Sequence, residues 1–379
     1  HSLIEKRTSG LMQPQQAERI REATQRQFPD GINAYGTDAL RFTFYSLAAT
    51  GRDIKFDIGR IEGFRNFCNK IWNAARYVLM NCEGQDCGQD PNLPVTLGTS
   101  ERWIDSELQS VLERFRQSIS SYRFDLAAQG LYDFIWNEYC DWYLELSKVA
   151  LRDDSDPAAA RGTRRTLIRT LEQSLRALHP LMPYITEEIW QSVAPLAGVS
   201  GPTIMLQEFP REDPTRVDDH AVADIEWLKS FAFAVRTIRG EMNIPPGKRL
   251  PVLLRAGESE DPQRVALLEA QLKQLAGLAK IQWLDGEAPP SATGLCGKLE
   301  ILVPLADVID RKAELLRLDK EIEKLRNELK RIQGKLNNAG FVAKAPAEVV
   351  AKEEEKLRFG QSSLEKLLLQ REQLGNIPT

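Results

Sequence analysis

Histidine is scarce in this sequence, which holds three in 379 residues, at positions 1, 179 and 220. So few histidines leave little room for a Ser-His-Asp triad or for a metal site ligated by histidine. The five cysteines are odd in number and form no paired C-x-x-C motifs, which argues against a disulfide framework and a structural zinc site. Glycine-rich phosphate loops, a nucleophile elbow and a zinc-protease motif are missing too. We therefore predict no catalytic residue, no cofactor-binding site and no metal site in this chain.

Long apolar runs and a surplus of positive charge are absent as well. No apolar stretch approaches the roughly 20 residues that a membrane span needs, and the first residues do not resemble a signal peptide. The 50 lysines and arginines stand against 54 aspartates and glutamates, so any nucleic-acid site must be a local patch. We expect a soluble, cytoplasmic protein with no membrane or DNA partner. Its start at His1 rather than Met predicts a fragment of a longer protein.

The predicted helix over residues 64–78 carries two different faces. At about 100° per residue, its apolar residues fall on one side and its amides and guanidiniums on another. The apolar side comprises Phe64, Cys68, Ile71, Ala75 and Val78, and the polar side comprises Arg65, Asn69, Asn73 and Arg76. Asn is a poor helix former, so helix propensity does not explain the repeated asparagines.

Single-stranded RNA would explain that polar side. An Asn amide reads a base edge in two directions, and Arg holds a phosphate or stacks on a base. Hydrogen bonds to a neighbouring helix, or capping of the preceding loop, would explain the same residues without any ligand. The residues by themselves leave both interpretations open.

Apolar residues at helical spacing predict helices through most of residues 13–240, with N-caps at Thr37, Ser100 and Thr186. Residues 83–99 are rich in Gly, Asp, Asn and Pro, which predicts a long surface loop. The aromatic-rich helix expected over residues 131–146 is more typical of a bundle core than of a base-stacking surface. His179 stands between Leu178 and Pro180, a setting typical of a buried polar group rather than a catalyst.

The sequence changes character after Asp218. Short β-like runs at residues 250–254 and 298–303 predict strands, and residues 265–275 between them predict a helix. This alternation indicates a small α/β module.

The last part of the chain has the clearest periodicity. Two heptad seams are separated by a break around residues 337–346, and Glu353 and Gly360 weaken the second seam. The seams contain, in order, Leu315, Leu318, Ile322, Leu325, Leu329, Ile332 and Leu336, then Val350, Leu357, Leu364, Leu367 and Leu374. We predict an antiparallel coiled-coil hairpin. The lysines and arginines on its first helix are either a phosphate-binding surface or an ordinary solvated face.

Several segments resemble bacterial valyl-tRNA synthetase, a class Ia aminoacyl-tRNA synthetase, in the part after its catalytic domain. They are Tyr35-Gly36-Thr37-Asp38-Ala39-Leu40-Arg41-Phe42, Gly51-Arg52-Asp53-Ile54, Arg65-Asn66-Phe67-Cys68-Asn69-Lys70-Ile71-Trp72-Asn73, Cys140-Asp141-Trp142-Tyr143-Leu144-Glu145, His179-Pro180, Ile185-Thr186-Glu187-Glu188-Ile189-Trp190, Glu241-Met242-Asn243-Ile244, Pro246-Gly247-Lys248, Gly340-Phe341-Val342-Ala343 and Ala345-Pro346. The resemblance covers essentially the whole chain in order. Isoleucyl- and leucyl-tRNA synthetases share the helical fold, but the terminal heptad hairpin with Gly-Phe-Val favours the valyl family.

The resemblance implies a carboxy-terminal fragment with a mainly α fold. Its parts would be a helical anticodon-binding bundle over residues 1–217, beginning with a stem-contact segment over about 1–60, then a small α/β connecting module over 218–304 and a coiled-coil tRNA-binding arm over 305–379. The nucleotide-binding motifs and the editing domain of the family are absent here. The parent enzyme, a valine-tRNA ligase, would use ATP and Mg, whereas this fragment would hold tRNA without charging it.

The resemblance also implies two surfaces that contact tRNA(Val). The anticodon surface comprises Arg52, Lys55, Arg65, Asn66, Asn69, Lys70, Trp72, Asn73 and Arg76. Within it, Arg52 and Lys55 would hold phosphates, and Asn69, Asn73 and Arg76 would meet bases or sugar hydroxyls. Trp72 and the adjacent Phe67 are candidates for stacking on a base, with core packing favoured for Phe67. The outer-corner surface comprises Lys320, Lys324, Lys330, Arg331, Lys335 and Lys344. We expect a monomer, with self-association through the coiled coil as an option. The alternatives are a fragment of an isoleucyl or leucyl enzyme and a non-enzymatic helical scaffold.

Overall fold

The computed structural model describes residues 2–49, 57–305, 311–337 and 347–375. The chain divides into two compact units, His1–Glu226 and Trp227–Thr379. The first unit is built of helices, and the second contains a four-stranded sheet and a pair of long helices. The mainly α fold with a small α/β module is confirmed, while the three domain ranges drawn from the sequence stay predictions.

The helices of the first unit enclose a core of large aromatic and aliphatic side chains. They are α1 (Ser2–Thr8), α2 (Ala17–Gln27), α3 (Thr37–Leu47), α4 (Ile58–Cys82), α5 (Thr99–Ser120), α6 (Phe124–Asp133), α7 (Leu144–Leu151), α8 (Pro157–Leu178), α9 (Pro183–Val193) and the start of α10 (Asp219–Glu241). The largest fully buried side chains of this unit include Trp103, Trp190, Tyr139, Tyr143 and Phe42.

The helix predicted over residues 131–146 is interrupted in its middle. A π-helical segment, Phe134–Tyr143, joins α6 to α7 without a break in the chain direction. Tyr139 within it is buried and donates its hydroxyl to the Leu167 carbonyl at 2.8 Å. Because most of its aromatic and aliphatic side chains are buried, the assignment of this segment to the core is confirmed.

The connection between α4 and α5 is the expected surface loop, and one buried arginine holds it in place. Arg161 of α8 forms an ion pair with Asp86 and donates to the carbonyl oxygens of Asp90, Leu93 and Pro94. A guanidinium carries five N–H donors in a rigid fork, so one side chain satisfies several acceptors. The hydrogen bond from Arg161 lowers the pKa of Asp86.

The N-caps predicted from the sequence were wrong in three places. Gly36 and Gly98 occupy the cap positions of α3 and α5, so Thr37 and Ser100 lie inside their helices. Thr186 lies within α9, which begins at Pro183. A glycine at φ +93°, as at position 36, makes the turn into the helix without steric strain.

The start of α9 is capped by a residue distant in sequence. Asp38 of α3 is buried and accepts hydrogen bonds from the backbone N–H groups of Tyr184 at 3.3 Å and Ile185 at 2.7 Å. Arg41, on the same helix, donates to the Pro180 carbonyl at 3.0 Å. A carboxylate at a helix start and a guanidinium at a helix end both complement the helix dipole. Helix α3 is therefore fastened to the turn between α8 and α9.

His179 lies in that turn and is half-buried rather than fully buried. Its Nδ1 is 2.8 Å from the Thr186 hydroxyl, which donates its own proton to the Met182 carbonyl at 2.7 Å. Because the hydroxyl proton is already used, the His179 Nδ1 carries the proton of the other bond. Burial lowers the pKa of His179, which favours the neutral ring.

The second unit contains a four-stranded sheet in the order β2-β1-β4-β3. Its strands are β1 (Leu250–Ala256), β2 (Leu278–Trp283), β3 (Ser291–Cys296) and β4 (Leu299–Pro304), and α11 (Asp261–Ala276) links β1 to β2. Strands β1 and β2 are parallel, and β4 is antiparallel to both β1 and β3. The predicted strands β1 and β4 are confirmed. The edge strands β2 and β3 carry few buried residues, which explains why their sequences show no strand signal.

Two long helices, α12 (Arg311–Leu336) and α13 (Ala347–Gly375), form the predicted hairpin. Gly360 is buried, and a Cβ at this position would lie 2.7 Å from a methyl carbon of Leu329. Glu353 forms ion pairs with Lys335 at 3.6 Å and Lys356 at 3.0 Å. Of the two residues that interrupt the second heptad seam, Gly360 therefore allows the two helices to approach closely, and Glu353 forms ion pairs.

Candidate nucleic-acid interface

Helix α4 has the two faces that the sequence predicts, with its apolar seam displaced. Asp57 caps the helix by accepting the Gly59 N–H at 2.9 Å. Phe64 and Cys68, assigned to the seam, are only half-buried, whereas Phe67 is fully buried among the rings of neighbouring helices. The core role of Phe67 is confirmed. The buried side comprises Ile61, Phe67, Ile71, Ala74, Ala75, Val78 and Cys82.

The opposite side of α4 is exposed. We call it the Asn/Arg stripe, and it comprises Arg65, Asn66, Asn69, Asn73 and Arg76. Among the described residues, none of these side chains has a hydrogen-bond or ion-pair partner. Trp72 lies on the same side with 44% of its surface exposed. In the described structure these side chains therefore do not bond to a neighbouring helix. The alternative of capping the preceding loop concerns residues 50–56, which lie outside the described residues.

Three other residues assigned to the anticodon surface differ from the stripe. Lys70 forms an ion pair with Asp141, and its ammonium lies 4.8 Å from the ring centroid of Trp136. These contacts engage the Lys70 charge within the protein. Arg52 and Lys55 lie outside the described residues.

A cleft of about 360 Å³ opens beside the stripe. We call it the α3–α9 cleft, because Tyr35 and the start of α3 form one wall and Tyr184 of α9 forms another. Arg65 and Asn69 of the stripe line it as well. The two tyrosines were not predicted as site residues, although both belong to or adjoin the segments that resemble the valyl family. Those segments contain Thr37 and Thr186, whose sequence setting indicates helix starts.

Among the residues that line the α3–α9 cleft, Asp38 and Arg65 carry charge. Burial and the neighbouring Asp38 carboxylate raise the pKa of the Cys68 thiol to about 11, so the thiol is neutral at physiological pH. The Asp38 carboxylate is itself occupied by two backbone N–H groups of α9. The guanidinium of Arg65, on the rim, is the principal charge at the opening.

The basic residues assigned to the hairpin lie on its exposed surface. Lys320, Lys324, Lys330 and Arg331 of α12 are exposed, and within the described part of the chain they have no ion-pair partner. Lys335 is exposed too but pairs with Glu353. Lys344 lies outside the described residues. Four of the six assigned cations are therefore exposed and have no ion-pair partner among the residues that the structure describes.

Two other kinds of site are absent from the part of the chain that the structure describes. No group of three or more potential metal ligands comes together there. No described helix combines the length and hydropathy that crossing a membrane requires.

Comparison with known proteins relates the chain to proteins that bind tRNA. Residues 101–254 match the anticodon-binding domain of tRNA ligase, and residues 310–375 match the valyl tRNA synthetase tRNA binding arm. A solved ternary LeuRS-tRNA-LeuAMS complex from Agrobacterium radiobacter is similar at a TM-score of 0.36 and 15% identity, over 48% of this chain and 20% of that chain. The Asn/Arg stripe precedes the first matched segment, but α4 contacts α8 and α9, which lie within it.

Proposed function

We propose that this chain binds tRNA(Val) at the anticodon stem-loop and at the outer corner. The proposal is supported by its two matched segments, which are of types found in aminoacyl-tRNA synthetases. The choice of valine is supported by the match of residues 310–375 to the valyl arm. The parent enzyme would be a valine-tRNA ligase, with the ATP-dependent attachment of valine carried out by a catalytic domain that this sequence does not include.

The observation that carries the anticodon part of the proposal is the Asn/Arg stripe. Exposed amides and guanidiniums that have no partner among the described residues are hydrogen-bonding groups available to a ligand. They project from a helix whose opposite side is buried in the bundle, so a bound loop would meet preplaced side chains. Unpaired RNA loops present base edges and sugar hydroxyls, which amides read, and phosphates, which guanidiniums bind.

The hairpin supports the second contact. Its exposed lysines and arginine stand on helices that bury Ile322, Leu329 and Ile332 between them. Such a surface binds a folded RNA through its shape and phosphates, without reading sequence. The stripe would then select the tRNA and the hairpin would add affinity.

The protein is proposed to act in the cytoplasm. All five cysteines are free thiols, as is usual in a reducing compartment. Charged tRNA is consumed there by the ribosome.

Replacement of Asn73 tests the anticodon contact. We expect Asn73→Ala to weaken binding of a valine tRNA by roughly 1 to 3 kcal/mol, the range for removing one hydrogen bond and leaving its partner unpaired. The affinity for the same tRNA with a changed anticodon should fall much less. Affinities of the whole chain for both tRNAs are measured by filter binding or fluorescence anisotropy.

Two variants control this experiment. Asn137→Ala removes an exposed amide of the same unit outside the stripe and should change neither affinity. Ile71→Ala should lower the free energy of unfolding by about 2 to 5 kcal/mol, because Ile71 is buried in the seam. If Asn73→Ala weakens the binding of both tRNAs equally, the stripe binds only the RNA backbone. If the chain binds no tRNA and self-associates in sedimentation, the scaffold alternative is right.

A further inference from the structure

The α3–α9 cleft brings together four side chains that suit one unstacked nucleobase. Tyr184 has 66% of its surface exposed and stands on one wall. Arg65 and Asn69, one helical turn apart on α4, line the cleft as well, and so does Tyr35. An exposed aromatic ring, an amide and a guanidinium in one cleft are the combination that single-stranded RNA binding uses for stacking, edge reading and phosphate contact.

The chemistry of the cleft floor favours a neutral planar group over a free phosphate. The Asp38 carboxylate lies there, with its oxygens bonded to the N–H groups of Tyr184 and Ile185. The Cys68 thiol beside it holds its proton at neutral pH. A phosphate deep in the cleft would be repelled by the negative charge of Asp38, whereas a neutral base would not be, and its phosphate would lie near the exposed Arg65.

The cleft is formed before any ligand arrives. Asp38 belongs to α3 and fixes the backbone of Tyr184 at the start of α9, so the two walls are joined by hydrogen bonds. Phe42 of α3 contacts Phe64 and Phe67 of α4, which fixes the third wall. Walls held in this way lose little conformational entropy on binding.

We propose that the α3–α9 cleft receives one extruded base of the RNA loop, stacked on Tyr184 and read at its edge by Asn69, while Arg65 binds the phosphate of the same nucleotide. This inference rests on the proposed function, since it names where one base of the bound loop goes. It adds Tyr184 and Tyr35 to the residues assigned to the interface.

Abasic substitution combined with Tyr184→Ala tests the inference. The whole chain is titrated with a stem-loop RNA carrying a valine anticodon and with variants in which one loop nucleotide at a time lacks its base. We expect Tyr184→Ala to weaken binding of the intact stem-loop roughly tenfold, which is within the range for one base on one aromatic ring. Removal of the base at one loop position should weaken binding to the wild-type chain by a similar factor. The same abasic RNA should bind Tyr184→Ala as well as the intact RNA does.

Three further variants make the result specific. Tyr184→Phe keeps the ring and should keep the affinity. Asn69→Ala should weaken binding of the intact RNA and lose its effect at the same abasic position. Tyr122→Ala removes a tyrosine of the same unit that is 71% exposed and lies outside the cleft, and it should leave the affinity unchanged. Thermal melts of each variant show whether it is folded. If Tyr184→Ala does not fold, the abasic comparison is made with Asn69→Ala instead.

The outcomes separate the inference from the proposed function. One outcome is that the stem-loop binds while the affinity lost in each cleft variant adds to the affinity lost at every abasic position. In that case no base enters the cleft, so the inference is overturned while RNA binding stands. If Tyr122→Ala weakens binding as much as Tyr184→Ala, the cleft has no special role and the inference also fails. If the wild-type chain binds no stem-loop RNA, the proposed function fails and the inference fails with it.

Discussion

Single residues in the first unit separate by whether their polar atoms are already used inside the protein. Asp38 and Arg161 are buried and bond to backbone groups of distant segments. Asn69, Asn73 and Arg76 on α4 are as polar but have no such partners among the described residues. A buried polar group must be paired to be tolerated, whereas an exposed one is free to bind a ligand. Pairing therefore distinguishes structural residues from candidate binding residues.

Glu101 shows how a buried carboxyl makes stability depend on pH. Its carboxylate accepts hydrogen bonds from the Thr163 hydroxyl at 2.9 Å and the Tyr143 hydroxyl at 3.3 Å. Burial nevertheless raises the pKa of Glu101 above the ordinary value of 4.5, because desolvation opposes the charged form more than these bonds favour it. The stability that depends on the protonated carboxyl is fully present below about pH 4.5 and is lost as the pH rises through the raised pKa.

Glu101→Gln stays neutral at every pH and should not lose that stability. We expect the free energy of unfolding of Glu101→Gln, relative to the wild type, to increase between about pH 4.5 and pH 8 in urea titrations. Any hydrogen bond that the amide makes poorly adds a constant offset and leaves this trend intact. Glu113→Gln, at an exposed carboxylate that contacts Gln117, is the control and should show no trend. A constant difference for Glu101→Gln would mean that the buried carboxyl is ionised throughout.

Among the elements, α4 and the hairpin present polar side chains in different ways. Helix α4 has one side buried in a bundle, which fixes every side chain of the Asn/Arg stripe relative to the core. The described part of the hairpin consists of α12 and α13, and its described polar residues lie around a narrow apolar seam. The first arrangement suits reading of individual bases, and the second suits an interaction spread over phosphates.

The salt dependence of tRNA binding tests the role assigned to the hairpin. A chain in which Lys324, Lys330 and Arg331 are replaced by Ala should bind cognate and non-cognate tRNAs more weakly and to the same extent. The slope of log affinity against log salt concentration should become shallower by roughly 0.7 to 0.9 for each phosphate that the variant no longer neutralises. Glu328→Gln, on the same helix, should not make the slope shallower. An unchanged slope in the triple variant would show that these charges only solvate the hairpin.

At the scale of the whole molecule, the candidate binding residues are divided between the two compact units. The Asn/Arg stripe and the α3–α9 cleft belong to the first unit, and the basic residues of the hairpin belong to the second. Neither set includes a nucleophile beside a general base or a glycine-rich phosphate loop. The proposed role is therefore to hold RNA, and we expect the activation of an amino acid to lie outside this chain.

Because its sequence has no nucleotide-binding motif, we predict that the chain by itself does not activate valine. In a pyrophosphate-exchange assay with ATP, Mg and valine, the purified chain should give exchange no higher than the background without valine. A valyl-tRNA synthetase that contains its catalytic domain serves as the positive control under the same conditions. Valine-dependent exchange by the chain alone would contradict the prediction and would require a nucleotide site that its sequence motifs do not reveal.

The sequence by itself determined those features that depend on local periodicity. Heptad spacing predicted the hairpin, apolar spacing predicted most helices, and the pattern of α4 predicted an exposed polar side opposite a buried one, because side-chain direction repeats every 3.6 residues. Only the tertiary structure decided what depends on contacts between distant segments. It placed Asp38 at the start of α9, put Gly360 against Leu329, and brought Tyr184 beside Arg65 and Asn69. These contacts join residues far apart in the chain, and such pairings are set by the packing of the whole core rather than by any local pattern.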